Sequence, residues 1–445
     1  MLTLAHFITR VRAAHSANPG RFRAAFLGLL AILLLVTTLQ YAAKVAKPAE
    51  HGRQTRSAFL RWRAMILDVY AGANPYIGKN EYPNPPVMAI ILRPFAELPP
   101  ITGAMGWFFA KVLMAGLAVL WTFRLISSDA LLADGVKATT IVLALPAITG
   151  DLSHNNVNIF ILFLIAASLE LYRKGRDSAS GLVLGLAIAC KVTPLLLLAY
   201  FGWKRAWHVV VACLVGLVLW LAVVPGAAFG WERNHQLLTD WYKLMIERPV
   251  LKGEITTEHP NQAIPGFIYR LLTYSPSFIG YDRTPQGDIP VPAEYHNLVN
   301  IGRPAAWVIV KGLTAAFVVA VILLCRAPRG ERQGWRFAAE CSLIVLGMLL
   351  LSERSWKHHA VTLLLPAAVL AHATTLGLPE GCRRFIVWSL VGSLLLMTLP
   401  GLFGSRGQDL ALVYGSHTFA FLFLTACTCL VLWHGMRLSR PSISR

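Results

Sequence analysis

Charged residues are scarce in this chain. Of its 445 residues only 14% are Asp, Glu, Lys or Arg, whereas 56% are hydrophobic and the mean hydropathy is +0.56. A soluble protein carries about 25% charged residues. Apolar runs of roughly 20 residues, long enough to cross a bilayer as helices, recur along the chain. The composition therefore excludes a water-soluble enzyme and predicts an all-α polytopic membrane protein.

Acidic residues are the scarcer of the two charged classes. The chain has 22 Asp and Glu against 41 Lys and Arg, which gives a net charge of +19. In a soluble protein this excess would suggest nucleic-acid binding. Here the basic residues cluster between apolar runs, as they do in the cytoplasmic loops of membrane proteins. We therefore expect a multi-pass protein of the inner (plasma) membrane, with membrane lipids and no nucleic acid as partners.

Cysteine is absent from the segments that we predict to face away from the cytoplasm. All seven cysteines lie in apolar runs or in predicted cytoplasmic loops, so no structural disulfide is expected. The first apolar run, Ala24–Ala43, is longer than a signal-peptide core and lacks a small-residue cleavage site, so we expect it to remain as the first helix. Repeats and low-complexity tracts are also missing. We therefore predict one domain, residues 1–445.

One apolar segment, Ser178–Trp203, decides the predicted topology. It has basic residues at both ends, and Lys191 and the helix-breaking Pro194 lie in its middle. If it crossed once, every later basic cluster would lie outside, against the positive-inside rule. We therefore predict a re-entrant hairpin, both termini in the cytoplasm, and exoplasmic loops at residues 44–101 and 232–304. The ten predicted spans are Ala24–Ala43, Thr102–Ile126, Lys137–Gly150, Val157–Tyr172, His208–Trp231, Ala305–Cys325, Phe337–Leu351, Ala360–Leu378, Phe385–Gly404 and Leu410–Met436.

The first exoplasmic loop is too polar and too rich in Pro and Gly to cross a bilayer. Within it, Ser57–Tyr70 has the spacing of an amphipathic helix whose apolar face is suited to the lipid interface. Pro86 then begins a second helix that is too short to span. Together with Asp151–Asn156, residues 232–304 and Ser352–His359, this loop is predicted to form one site at the exoplasmic face.

Five motifs occur in order between Ser57 and Pro366. They are Gly72-x-Asn74-Pro75-Tyr76 with Tyr82-Pro-x-Pro-Pro86, Asn155-Asn-Val-Asn158, Gly181…Gly185…Lys191-x-x-Pro194, Asn261-Gln262-Ala263…Arg270, and Ser355-Trp356-Lys-His358-His359. In this order they resemble the motifs of glycosyltransferase family 87, the polyprenyl-phosphate-mannose-dependent mannosyltransferases with the GT-C membrane fold. The resemblance implies a GT-C-like architecture whose first exoplasmic loop carries interfacial helices.

The resemblance also implies a reaction. It is a metal-independent, inverting transfer of a hexose, expected to be mannose, from a polyprenyl-phosphate sugar to a lipid or glycan acceptor, without a cofactor. A carboxylate would take the proton of the acceptor hydroxyl, and cations or other donors would neutralise the departing lipid phosphate. The expected phosphate-binding residues are Arg56, Arg61, Lys191, Arg270, His358 and His359. The expected acceptor- and sugar-binding residues are Tyr76, Tyr82, Asn155, Asn156, Asn261, Gln262 and Trp356.

One residue of the family's motifs is missing. Its members carry an Asp-Phe pair shortly after the first span, where this chain has Ala58-Phe59, and a methyl group cannot take a proton. The carboxylates that could replace the missing base are Asp68, Asp151 and Glu81. Each also has a structural explanation; for Asp68 it is helix capping or pairing with an arginine.

Other interpretations stay open at this point. Lys191 could snorkel to an interface, His358 and His359 could belong to an aromatic belt, and Asn261 and Gln262 could cap a turn. The missing aspartate is also compatible with a catalytically altered lipid-sugar-binding homologue or with a lipid or sugar transporter. A transporter is expected to show paired broken helices in inverted repeats, and the sequence predicts one broken hairpin without a counterpart.

Overall fold

The computed structural model describes residues 19–47, 57–77, 82–127, 132–251, 253–284 and 287–438. Two of the predicted site residues, Arg56 and Glu81, lie outside these ranges. The described chain is mostly helical. Its helices are α1 (Pro19–Ala46), α2 (Ala58–Tyr70), α3 (Pro86–Ala96), α4 (Pro100–Ile126), α5 (Asp134–His154), α6 (Asn158–Arg173), α7 (Asp177–Cys190), α8 (Leu195–Trp203), α9 (Trp207–Phe229), α10 (Trp231–Tyr242), α11 (Ile264–Leu272), α12 (Arg303–Leu324), α13 (Trp335–Leu350), α14 (Leu364–Ala373), α15 (Glu380–Thr398), α16 (Gly404–Val413) and α17 (Ser416–Leu438).

Among the described residues, seven helical segments are long and apolar enough to cross a membrane. They are α1, α4, α5, α9, α12, the segment Glu380–Val413 that contains α15 and α16, and α17. This confirms the prediction of a helical polytopic membrane protein. The other three predicted spans correspond to α6, α13 and α14, which are 16, 16 and 10 residues long. The count of ten full spans therefore stays a prediction.

The core of the protein lies around α6, α13 and α14. Every residue of α13 from Phe337 to Leu350 is buried, and α14 is buried along nearly its whole length. A helix that is apolar on all sides must be packed on all sides, and this explains why these helices carry no polar face. The outer helix α1, in contrast, exposes most of its leucines, as a lipid-facing helix does.

The segment predicted as a re-entrant hairpin consists of α7 and α8, which are 14 and 9 residues long and too short to span. Both of its ends reach the same connection between α12 and α13: Asp177 pairs with Arg332, and Lys204 donates to the carbonyl of Ala327 across 2.8 Å. Lys191 lies at the break between the two helices. Both ends of the segment therefore lie at the same end of the bundle, as the hairpin prediction requires, and its entry into the membrane stays a prediction.

Close packing of α7 against α9 explains the glycines of the hairpin motif. A Cβ atom on Gly181 would lie 2.4 Å from the carbonyl oxygen of Val209, and one on Gly185 would lie 2.8 Å from that of Cys213. Small residues four apart let two helix backbones approach in this way inside membranes. The two glycines therefore fix the depth and direction of the helix that ends at Lys191.

Basic connections meet at one end of the helices, which we call the basic face. Arg332 also donates to the carbonyl of Tyr172 across 3.1 Å, and Arg173 donates to Gln333 across 3.3 Å. The buried Glu170 pairs with Arg173 and Lys174 at the same end. The loops that the positive-inside rule groups together thus lie together in the structure.

Two differences from the predicted fold concern the polar segments. Residues 232–304 contain α10 and α11 and also an antiparallel hairpin of β1 (Pro276–Thr284) and β2 (Gly287–Tyr295), so the all-α prediction misses two strands. The prolines of β2 hide the strand signal, because proline is tolerated at strand edges but lowers strand propensity. In the first loop, the apolar face of α2 was predicted to lie on lipid and instead packs into the protein core, with Phe59 and Ile66 fully buried.

The last predicted span also differs from the observed helices. It was expected to begin at Leu410, but α16 ends at Val413 and α17 begins at Ser416. Between them, Gly415 has φ +81°, a left-handed conformation that favours glycine. A side chain there would lie 2.3 Å from the ring of Phe267. The break therefore lets residues 412–418 serve as a docking point for the polar segment that contains α11.

Candidate functional site

The predicted polar segments converge at the end of the bundle opposite the basic face, and we call this end the site face. Asn74 donates to Asp240 across 2.8 Å and so joins the first loop to α10. Asn156 and His358 approach within 3.4 Å, which joins the turn after α5 to the turn before α14. Asn261 donates to the carbonyl of Glu353 across 2.8 Å. Four segments far apart in sequence thus surround one region.

A buried ion pair lies at the centre of this region. Lys111 of α4 and Asp151 of α5 are both fully buried, and Lys111 Nζ lies 3.2 Å from Asp151 Oδ2 and 2.9 Å from the backbone oxygen of Asp151. Two charges removed from water stabilise each other only when hydrogen bonds satisfy their remaining atoms. Asp151 Oδ1 accepts from Asn158 across 2.9 Å, which completes that requirement.

The polar chain continues from Asn158 to the re-entrant hairpin. Lys191 Nζ donates to Asn158 Oδ1 across 2.7 Å, so the amide of Asn158 bridges Asp151 and Lys191. Since α7 ends at Cys190, Lys191 follows the last turn of the helix in an extended backbone conformation, and its side chain reaches the start of α6. The series Lys111, Asp151, Asn158 and Lys191 crosses three helices and places one ammonium group at the break of the hairpin.

Histidines lie next to this chain of contacts. The rings of His154 and His358 stack with their centroids 5.2 Å apart and an interplanar angle of 16°. Trp356 packs edge-on against His358 at 5.6 Å, and His359 Nδ1 accepts from the backbone nitrogen of Trp356 across 3.3 Å. Burial lowers the pKa of His358 to about 3 and that of His359 well below its ordinary value. Both rings are therefore neutral at pH 7 and act as hydrogen-bonding groups rather than cations.

Asn155 ties the end of α5 to the start of α2. It has φ +54°, caps α5 in the left-handed conformation, and donates to the carbonyl of Ala104 across 3.0 Å. It also donates to Tyr41 OH across 2.5 Å, and that hydroxyl lies 2.9 Å from Ser57 Oγ. Through these two contacts the position of Ala58, itself fully buried, is fixed beside the turn after α5.

The remaining residues of the first loop fall into two groups. Arg61 is half-buried on α2 and close enough to act electrostatically on His154, so it belongs to the site region. Asp68 lies two turns further along α2, is exposed, and its side chain makes no hydrogen bond or ion pair with the residues that the structure describes. The structure therefore brings Arg61 to the cluster and leaves Asp68 apart from it.

Tyr76 and Tyr82, which were expected to bind acceptor or sugar, pack together under the first loop. Their rings lie 6.1 Å apart, and Tyr76 OH donates to the carbonyl of Asn84 across 2.9 Å. Tyr82 is fully buried near Cys190, and its hydroxyl has no hydrogen-bond partner among the residues the structure describes. Tyr82 thus lies beside the hairpin break, whereas Tyr76 supports the loop.

Asn261, Gln262 and Arg270 are all fully buried. Arg270 uses all three guanidinium nitrogens on backbone carbonyls, and burial lowers its pKa to about 9. The side-chain amide of Gln262 donates to the carbonyl of Leu412 across 2.7 Å, and the backbone nitrogen of Gln262 donates to the carbonyl of Ser355 across 2.7 Å. These side chains clamp the segment before α11 to the break at residues 412–418. Their direct contact with a substrate stays a prediction.

The sequence analysis missed several residues of the cluster. Lys111, His154 and Tyr41 were not among the expected site residues. A signal for Lys111 was present, because an ionisable residue inside a predicted span is a candidate functional residue by default. Asn158 belonged to a recognised motif but was not singled out. No signal in one sequence links Tyr41 to Ser57, since that contact depends on how the helices pack.

The chemistry of the region is that of an anion site with neutral histidines. Lys191 and Arg61 supply positive charge, and the histidines and asparagines supply hydrogen bonds. Within the described ranges, no three His, Cys, Asp or Glu side chains are grouped so as to hold a metal ion. Metal independence and the absence of a cofactor stay predictions. The arrangement suits a ligand that brings its own negative charge.

In the comparison with protein-family models, the model of glycosyltransferase family 87 matches residues 82–353. That range contains Lys111, Asp151, Asn158 and Lys191. It ends before Trp356, His358 and His359 and begins after Ala58, Arg61 and Asp68. The match therefore covers the central polar chain and leaves the departure at Ala58 untested.

Two curated proteins are similar to this chain over most of its length. A polyprenol-phosphate-mannose-dependent alpha-(1-2)-phosphatidylinositol mannoside mannosyltransferase of Mycolicibacterium smegmatis is 26% identical over 325 residues, which are 68% of this chain and 63% of that protein. The protein of the same name from Mycobacterium tuberculosis is 25% identical over 341 residues, 73% of this chain and 69% of that protein. The chain thus spans less than two thirds of the first relative.

Among solved structures, this chain is similar to ArnT from Cupriavidus metallidurans in the apo state. The alignment covers 92% of this chain and 78% of the ArnT chain. The identity is 13% and the TM-score is 0.36. A superposition this loose leaves the GT-C-like arrangement of the helices a prediction.

Proposed function

The chain belongs to glycosyltransferase family 87, and we propose that it transfers a hexose, expected to be mannose, from a polyprenyl-phosphate donor to a lipid or glycan acceptor. Family membership makes it a membrane glycosyltransferase. Its two relatives are named as phosphatidylinositol mannoside mannosyltransferases that depend on polyprenol-phosphate-mannose, and these names support the choice of donor and of a lipid-linked acceptor.

The observation that carries this proposal is the position of Lys191. Its ammonium group lies at the break of a helix pair that enters the membrane and turns back, and one N–H is held by Asn158. The other two N–H groups have no partner within the described ranges. A phosphate on a membrane-embedded lipid tail would approach at this depth and would fill those two positions.

In the proposed reaction Lys191 and Arg61 neutralise the negative charge that grows on the lipid phosphate as the glycosidic bond breaks. The neutral His358 and His359 serve as hydrogen-bond donors or acceptors for phosphate or sugar oxygens. Attack from the side opposite the leaving phosphate inverts the anomeric carbon, and no metal ion is required when cations of the protein stabilise the leaving group.

We place the site face on the exoplasmic side of the plasma membrane. The basic face collects the connections rich in Lys and Arg, and such connections stay in the cytoplasm. The donor would then present its sugar outside the cell, and both termini would be cytoplasmic.

A second candidate function rests on Ala58. Without a base, the chain would bind a lipid-linked sugar phosphate and not turn it over. Binding and transfer therefore have to be measured separately, so that a sugar-binding homologue is told apart from an enzyme.

The direct experiment uses membranes that contain the chain, radiolabelled polyprenyl-phosphate-mannose, and acceptors that include phosphatidylinositol mannosides and glycans. The proposal expects label to move to at least one acceptor. Absence of transfer from mannose and other hexose donors, with every acceptor, would exclude the enzyme, and donor binding without transfer would establish the second candidate function.

A further inference from the structure

The proposed transfer needs a base, and the two candidate carboxylates that the structure describes, Asp68 and Asp151, are poorly placed for that role. Asp68 lies apart from the cluster. Both oxygens of Asp151 are engaged, Oδ1 by Asn158 and Oδ2 by Lys111. A carboxylate that stabilises a buried ammonium group cannot also accept a proton without leaving that charge unpaired.

His154 is the basic group best placed to replace a carboxylate. It is the last residue of α5, and its ring is half-buried, with one face stacked on His358. Its two ring nitrogens make no hydrogen bond to the part of the chain that the structure describes. A half-exposed imidazole with an unbonded nitrogen can accept a proton from a hydroxyl that enters the site.

His154 also lies close to the position that lost its aspartate. The neighbouring Asn155 donates to Tyr41 OH across 2.5 Å, and Tyr41 OH contacts Ser57 Oγ at 2.9 Å. Ala58 follows Ser57, so two hydrogen bonds connect the residue before Ala58 to the residue after His154. The missing carboxylate and the imidazole therefore border the same region of the site face.

We propose that His154 is the catalytic base of this chain in place of the missing aspartate; this inference rests on the proposed function. The imidazole accepts the proton of the acceptor hydroxyl while the hydroxyl oxygen forms a bond to C1 of the sugar. The bond between C1 and the lipid phosphate breaks, and its electron pair leaves on the phosphate oxygen. The proton stays on His154 until product leaves.

The charges around His154 couple this step to the donor. Arg61, Lys44 and Lys111 are the positive groups that act on it, Asp151 is the negative one, and His358 is stacked on it. An imidazolium formed there would face more positive than negative charge. The phosphate of the bound donor supplies the missing negative charge, so His154 accepts a proton best when donor is present.

The test compares His154→Gln with His154→Glu in the full chain, with polyprenyl-phosphate-mannose as donor. The two side chains have the same shape, and only Glu can accept a proton. His154→Gln is expected to lower kcat on the order of 100-fold with donor KM little changed, whereas His154→Glu keeps most of the activity with its pH profile moved to lower pH. Adding Ala58→Asp to His154→Gln is expected to restore transfer.

The matched control is His372→Gln, at the end of α14 and outside the site region, which is expected to leave transfer unchanged. Thermal unfolding of each purified variant shows whether it folds. The inference is overturned if His154→Gln keeps wild-type transfer, or if the Gln and Glu variants fold and lose transfer equally. Absence of transfer by wild type overturns the proposed function itself, and the inference with it.

Discussion

Lys191 and Asn158 join the re-entrant hairpin to the core of the bundle by one hydrogen bond of 2.7 Å from Nζ to Oδ1. Asn158 is in turn held by the buried carboxylate of Asp151. A flexible lysine side chain is thereby fixed by a rigid amide at the start of α6. Fixed charges stabilise a developing anion better than mobile ones, because they need no reorganisation during the reaction.

The pair of Lys111 and Asp151 is predicted to be structural. Asp151→Asn leaves the Lys111 ammonium buried without a countercharge, and we expect a loss of about 3–5 kcal/mol in the free energy of unfolding. Thermal unfolding of purified protein in detergent measures this loss.

The control for that prediction is the double variant Lys111→Met with Asp151→Leu. It removes both charges and fills their volume, so it is expected to recover most of the stability that the single variant loses. A double variant no more stable than Asp151→Asn would contradict a simple buried pair and would indicate that Asp151 acts through Asn158 instead.

The sequence led us to expect that Arg270 binds the donor phosphate, but its contacts favour a role in the fold, and this role is the one we predict. Its guanidinium binds backbone carbonyls on both sides of α11, including those of Val413 and Glu258. Arg270→Ala leaves these buried acceptors unpaired and is expected to cost about 3 kcal/mol of stability. Transfer per folded molecule is expected to change by less than about threefold. If Arg270→Lys folds normally and yet loses donor affinity, the arginine binds phosphate.

The protein is predicted to lose stability in acid through His358. Burial lowers the pKa of this ring to about 3 in the folded chain, below the value near 6.5 of an unfolded chain. Its neutral form is thus favoured by folding. The stability that the neutral His358 ring gives the folded chain is fully present above pH 6.5 and is lost as pH falls from there towards 3.

Thermal midpoints measured between pH 7 and pH 4 check this prediction. The wild type is expected to lose more stability over that range than His358→Gln, which has no ionisable ring. Equal losses in the two proteins would show that other groups govern the acid transition.

The sequence predicts the parts of this fold that depend on hydrophobic length and charge. The re-entrant hairpin follows from Lys191, Pro194 and the basic residues at both ends. The burial of α2 could not be predicted in the same way, because an apolar helix face looks alike whether it meets lipid or protein. The strands β1 and β2 could not be predicted for a different reason. Their prolines lower the local strand propensity, and docking against α16, where Arg406 pairs with Glu294, overrides that propensity.

The candidate site is predictable only in part. Lys191 and His358 are recognisable from motifs, since each stands beside other unusual residues in a short stretch. The pairing of Lys111 with Asp151 joins residues 40 positions apart, and it depends on how α4 packs against α5. The same holds for the approach of His154 to His358. Such contacts depend on how the helices pack and cannot be predicted from any one segment of the sequence.

The most direct test of the account is donor binding and transfer by Lys191→Ala, with Lys311→Ala as the matched control. Lys311 is an exposed lysine on α12, so its removal is expected to change neither quantity. We predict that Lys191→Ala binds polyprenyl-phosphate-mannose more weakly and transfers the sugar on the order of 100-fold more slowly than wild type. A folded Lys191→Ala protein that binds the donor and transfers the sugar as wild type does would contradict the account.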